Sequence, residues 1–146
     1  MRNVRFYLAI FMVGMLVFQS CSGSKTTGRK LRTGDYTFYM SDSVGNPLVE
    51  GTMILDTAKG GKLTGTYQIT NKYVENFAGF RTMQGIYEGS FDRTVHGFSI
   101  NMNPKLADAN IFIKGKYTST YLVGTWVYST YVGIMKSGGF RAELQE

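Results

Sequence analysis

A chain of 146 residues with 43% apolar side chains is long enough for one domain with a real core and too apolar for a disordered tail. Its net charge of +6, from 16 Lys+Arg against 10 Asp+Glu, falls short of the strongly basic balance of a nucleic-acid binder. A single cysteine and a single histidine exclude a disulfide framework, Cys-ligated zinc and paired-histidine metal sites, and the 18 Gly, 10 Tyr and 10 Phe against two Pro point to β structure.

In chain order, the first element is a targeting segment. Arg2 and Arg5 form a basic start, and Phe6 to Phe18 form an apolar run of 13 residues, too short for the roughly 20 that span a bilayer. The run ends at Phe18-Gln19-Ser20-Cys21-Ser22, which resembles the lipobox of bacterial lipoproteins. That resemblance implies cleavage before Cys21 and attachment of diacylglycerol to its thiol, with Ser22 fitting sorting to the outer membrane. The other readings of residues 1–20 are an ordinary secretory peptide and an uncleaved anchor. The segment carries two of the cations and no acid, so its removal leaves 126 residues at +4. Residues 21–33 follow as a lipidated polar tether, with Leu31 its one apolar side chain after the cysteine. Lys25, Arg29, Lys30 and Arg32 could touch anionic lipid or simply be solvated.

Residues 34–146 are read as the folded domain, and here the hydrophobic period is two. Leu63, Gly65, Tyr67 and Ile69 alternate with Lys62, Thr64, Thr66, Gln68 and Thr70, and Phe98, Ile100 and Met102 alternate with Gly97, Ser99 and Asn101. The pattern predicts eight strands at 36–40, 48–56, 62–70, 84–91, 94–102, 110–118, 120–128 and 138–145. Short links such as Asp42 to Pro47, Lys59-Gly60-Gly61, Asp92-Arg93 and Thr118-Ser119 favour hairpins between successive strands. The expected fold is therefore all-β, an eight-stranded antiparallel up-and-down meander barrel preceded by a cleaved lipoprotein signal peptide. An echo, apolar-x-Gly-x-aromatic, recurs as Leu63-Gly65-Tyr67, Tyr87-Gly89-Phe91, Ile113-Gly115-Tyr117 and Leu122-Gly124-Trp126. A glycine between two large residues lets a strand bend sharply or a neighbouring ring lie over the gap.

Two stretches interrupt the hairpins. Tyr73, Phe77 and Phe80 stand at i, i+4 and i+7, a helix-like stripe that would be a lid over one barrel mouth or a short helix plugging it. Residues 130–135, containing Tyr131 and Ile134, form an apolar link that is either an exposed contact patch or a longer hairpin.

No catalytic motif is visible. His96 sits by this reading on the fifth strand, and the carboxylates occur singly, so no catalytic residue, metal ligand or cofactor is assigned and the protein is not expected to be an enzyme.

The barrel region resembles the calycin group, meaning lipocalins and avidins, and the lipocalin-like lipoproteins of Bacteroidetes-type bacteria. Gly61-Lys62-Leu63-Thr64-Gly65-Thr66-Tyr67 is similar to an avidin hairpin phrase whose tyrosine bonds biotin, although avidins line their pocket with several tryptophans and Trp126 stands alone here. The resemblance implies an interior either packed with side chains or enclosing one small apolar ligand. If hollow, its lining would be Tyr67, Phe98, Met102, Tyr117 and Trp126. The leading expectation is a lipoprotein of the bacterial cell envelope, held on the outer membrane through Cys21 and facing periplasm or surface, whose barrel binds a small hydrophobic molecule. The alternative is a filled barrel that acts on an envelope protein, as partner or inhibitor, through the loops carrying Tyr73, Phe77, Phe80, Tyr131 and Ile134. No nucleic-acid partner is expected.

Overall fold

The computed structural model describes residues 30–57, 60–75, 77, 79–80 and 82–146; the expected targeting segment, Cys21 and the expected tether as far as residue 29 lie outside them. Eight strands, β1 (Gly34–Ser41), β2 (Pro47–Thr57), β3 (Lys62–Lys72), β4 (Gln84–Asp92), β5 (Gly97–Asn101), β6 (Asn110–Tyr117), β7 (Tyr121–Thr130) and β8 (Gly133–Leu144), follow one another around a closed antiparallel barrel. Closure is made by β1 against β8, from Tyr36 opposite Leu144 to Met40 opposite Phe140. The lower end of the barrel carries the entry into β1, the turns at 93–96 and 118–120 and the exit from β8. The upper end carries residues 42–46, 102–109, the described residues between β3 and β4, and the β7–β8 tip.

The alternation works as expected: Tyr36, Phe38 and Met40, or Leu63, Tyr67 and Ile69, point inward and are buried while their neighbours face out. Eight strands enclose a space just wide enough for side chains to fill, and here large side chains fill it. Phe140 lies between Phe38 and Phe98, with ring centroids 6.3 and 6.2 Å away. Glycines admit this crowding. Tyr87 lies across Gly65 on β3 and sends its hydroxyl to the Ile54 carbonyl at 3.1 Å; Tyr67 lies across Gly85 on β4. Gly115 and Gly124 face each other so closely that a Cβ on either would run into the opposing backbone.

Three expectations change. Residues 93–96 are a turn, not the start of β5: Asp92 accepts the Thr94 amide at 2.7 Å, and His96 takes a left-handed φ of 50°. His96 therefore lies off the strand face, its ring edge-on to Tyr117 at 5.7 Å. The stripe Tyr73, Phe77, Phe80 forms no helix among the described residues; these residues instead lie at the upper mouth, where Tyr73 N–H meets the Leu48 carbonyl at 3.0 Å. Finally, β8 begins at Gly133 rather than 138, because the ladder with β7 runs through Gly138 and Gly139 to Thr130 opposite Gly133. At the other end Leu31 is buried in the core and the Tyr36 hydroxyl bonds the Arg32 carbonyl at 2.7 Å, so packing of the domain begins a few residues before Gly34.

Candidate functional site

The five residues expected to line a cavity stand at different levels of the barrel. Trp126 is fully buried and donates its indole N–H to the Ser41 carbonyl at 2.8 Å, where a register shift takes β1 out of its ladder and over Gly138. Phe77 stands edge-on to Trp126 at 5.1 Å and touches Phe80 at 5.6 Å, which in turn stands edge-on to Tyr67 at 5.5 Å. This row of rings, Trp126-Phe77-Phe80-Tyr67, closes the upper mouth. Phe98 packs at mid-barrel, and Tyr117 lies near the lower end beside Phe91 and His96. Tyr117 keeps its hydroxyl buried without a partner, and burial raises its pKa. Of the five, only Tyr67 and Met102 meet at an opening.

That opening is lateral. β5 is short, so the β4–β5 ladder stops at Glu88 opposite Asn101 and leaves Gln84 to Tyr87 facing the loop that follows β5. The gap is a cleft of about 430 Å³ lined by Tyr67, Thr82, Gly85, Ile86, Met102, Asn103, Pro104, Lys105 and Leu106. Asn103 fixes its far wall: its side-chain amide donates to the carbonyls of Gly79 at 2.7 Å and Ala109 at 3.0 Å, tying the loop to the segment over the mouth. Burial raises the Tyr67 pKa, an effect tempered by hydrogen bonding to Thr82. Apart from Tyr67 and Met102, none of these residues was expected to act together; Asn103-Pro104 was the only visible signal, as a break after the β5 pattern.

A second surface stands out on the same end. The β7–β8 hairpin rises past the last residue that β1 pairs with, and its tip exposes Tyr131 (88%), Val132 (71%), Ile134 (68%) and Met135 (57%). The apolar link is thus exposed and is also part of a longer hairpin. Val44 is exposed on the β1–β2 turn of the same end, and Tyr73 is half exposed with its hydroxyl on Glu50 Oε2 at 2.9 Å. Phe77 and Phe80, by contrast, are buried and unavailable for contact.

Among the described residues no group of three or more His, Cys, Asp or Glu side chains could hold a metal ion. Comparison with family models, with curated proteins and with solved structures found no match to this chain.

Proposed function

We propose that this protein is a lipid-tethered interaction protein of the bacterial cell envelope, a filled barrel that engages a protein partner through its β7–β8 hairpin. The observation that carries the reading is the exposed apolar tip of that hairpin, on the end of the barrel opposite the entry of the chain. Val132, Ile134 and Met135 would each contribute about 1.5–3 kcal/mol on full burial. Nothing in the fold of a single chain requires three such side chains and Tyr131 to remain in water.

The tether supports a partner that stands off the membrane. From Cys21 to Lys30 the chain reaches at most about 32 Å, at about 3.3–3.6 Å per residue. The 12 residues of β8 span about 30 Å along the barrel at ordinary tilt. A lipid on Cys21 would therefore join the protein to the bilayer through its lower end, the end opposite the hairpin. The hollow-barrel reading has less support, because the rings of Trp126, Phe77, Phe80, Phe98 and Phe140 occupy the interior.

Cross-linking in cells tests the proposal. A specific adduct with an envelope protein is expected, lost on replacing Tyr131 and Ile134 by Ser; an adduct unchanged by that double substitution refutes it. Mass spectrometry of the mature N-terminus tests the anchor separately, with a diacylated Cys21 expected and a retained or unmodified N-terminus counting against it.

A further inference from the structure

We propose that the lateral cleft between β4 and the 102–109 loop is a binding site for a small amphipathic carboxylate, one with a ring or short chain as its apolar body. This does not depend on the hairpin or on its partner. The register explains why the site exists. The Ile69 N–H bonds the Met83 carbonyl at 2.6 Å and the Phe91 N–H bonds the Gly61 carbonyl at 2.8 Å, so odd-numbered residues of β4 turn their backbone groups toward β3. Even-numbered residues turn theirs the other way. Glu88 finds Asn101 there, but the next position, Ile86, finds no strand. Asn103 would have continued the ladder; instead its own amide bonds Asn101 Oδ1 at 2.9 Å and its side chain holds the loop and the mouth segment. The N–H and C=O of Ile86 are left facing the cleft.

The lining then selects a ligand. Ile86, Met102, Pro104 and Leu106 offer an apolar wall, the Ile86 N–H offers a donor, and Lys105 on the rim supplies the one cation among the described lining residues, while the Thr82 hydroxyl donates to the Gln84 carbonyl at 2.6 Å. Among the described residues no carboxylate lines the cleft to compete for Lys105. About 430 Å³ lies within the roughly 300–1,000 Å³ usual for small-ligand sites. The far wall is fixed by Asn103 and the near wall by β3–β4 pairing, so binding would not require the barrel to open.

Photoaffinity labelling of the full chain tests this, using an aryl-diazirine benzoate as probe and mapping the adducts by mass spectrometry. Adducts are expected on residues 82–86 and 102–106, competed by 4-phenylbutyrate but not by 4-phenylbutanol, which shares its body and lacks the charge. Lys105→Ala should lower labelling about three- to fivefold, the scale of an exposed ion pair, and Lys105→Arg should retain it. Ile86→Trp, on an outward position, should block the cleft and circular dichroism should show the fold intact. Adducts scattered over the barrel or confined to the β7–β8 hairpin, equal competition by the alcohol, or labelling unchanged in Lys105→Ala would each overturn the proposal.

Discussion

Replacing Phe77 by Ala separates a plug from a lid. Phe77 is buried, edge-on to Trp126 and in contact with Phe80, although it belongs to a segment with no regular structure among its described residues. An aromatic side chain buries about 150–250 Å², worth about 4–6 kcal/mol at about 25 cal/mol per Å². Ala retains the Cβ, and an irregular segment can settle into part of the space, which lowers the cost; the two lost ring contacts raise it by about 0.5–1.5 kcal/mol each. The expected destabilisation is about 3–4 kcal/mol, within the usual range for Phe→Ala in a core. For a domain of this size the melting temperature should fall by about 10–20 °C. Trp126 is the single tryptophan and is fully buried, so it reports on the mouth directly. Its emission should shift to the red in folded Phe77→Ala as water reaches the indole. A loss below about 1 kcal/mol with unchanged emission would refute the reasoning, since it would mean that the segment rests on the barrel without sealing it.

Other consequences follow from particular contacts. Gly85→Ala places a Cβ 2.7 Å from the Tyr67 hydroxyl and 2.8 Å from its ring, and should cost about 1–3 kcal/mol in urea unfolding, part of it recovered by adding Tyr67→Leu. The left-handed φ of 50° at His96 suits Asn, so His96→Asn should be nearly neutral, while β-branched His96→Val should lose about 1–2 kcal/mol by the same assay. The Asp42 carboxylate accepts the amides of Val44 and Asn46 at 3.0 and 2.8 Å and the Asn46 side chain at 2.9 Å; these bonds, that to the Asn46 side chain above all, hold its pKa below the ordinary carboxylate value. Its stabilising contribution is therefore complete above the unfolded pKa and lost as pH falls through the lower folded one. Urea midpoints measured from pH 6 down to pH 2 should fall less steeply for Asp42→Asn than for the parent. Tyr131→Ser with Ile134→Ser should leave thermal stability within about 0.5 kcal/mol, because both side chains stand in water; a larger loss would show that the hairpin tip supports the fold.

Much of the barrel is legible in the sequence because strand alternation is local: Leu63 to Ile69 declares its inward face without reference to any other segment. The glycine echo was legible for the same reason, although which ring covers which glycine was not. Tyr87 lies over Gly65 and Tyr67 over Gly85, outside the repeat, and only the β3–β4 register pairs them. The turn at His96 is not legible because a period of two continues through Val95 and Gly97, while the turn is set by Asp92 capping Thr94 and by a left-handed φ that period cannot reveal. The start of β8 at Gly133 is hidden in the apolar link 130–135, which shows no alternation, and Gly138-Gly139 mark the place where β1 crosses close above the strand. The lateral cleft had almost no signature, since it arises from the absence of pairing between two segments.

The sequence by itself determined the class of this protein: all-β, eight strands in a meander, with one histidine and one cysteine. Periodicity and composition carry that much because each strand must bury one face wherever it docks. Only the tertiary structure decided that large rings fill the interior and that Phe77 and Phe80 seal the upper mouth. It also decided that β4 and β5 part above Glu88 while the β7–β8 hairpin extends past its neighbour. Those features depend on where ladders end and on which side chain occupies which shared space, and both are relations between residues as far apart in the chain as Ser41 and Trp126.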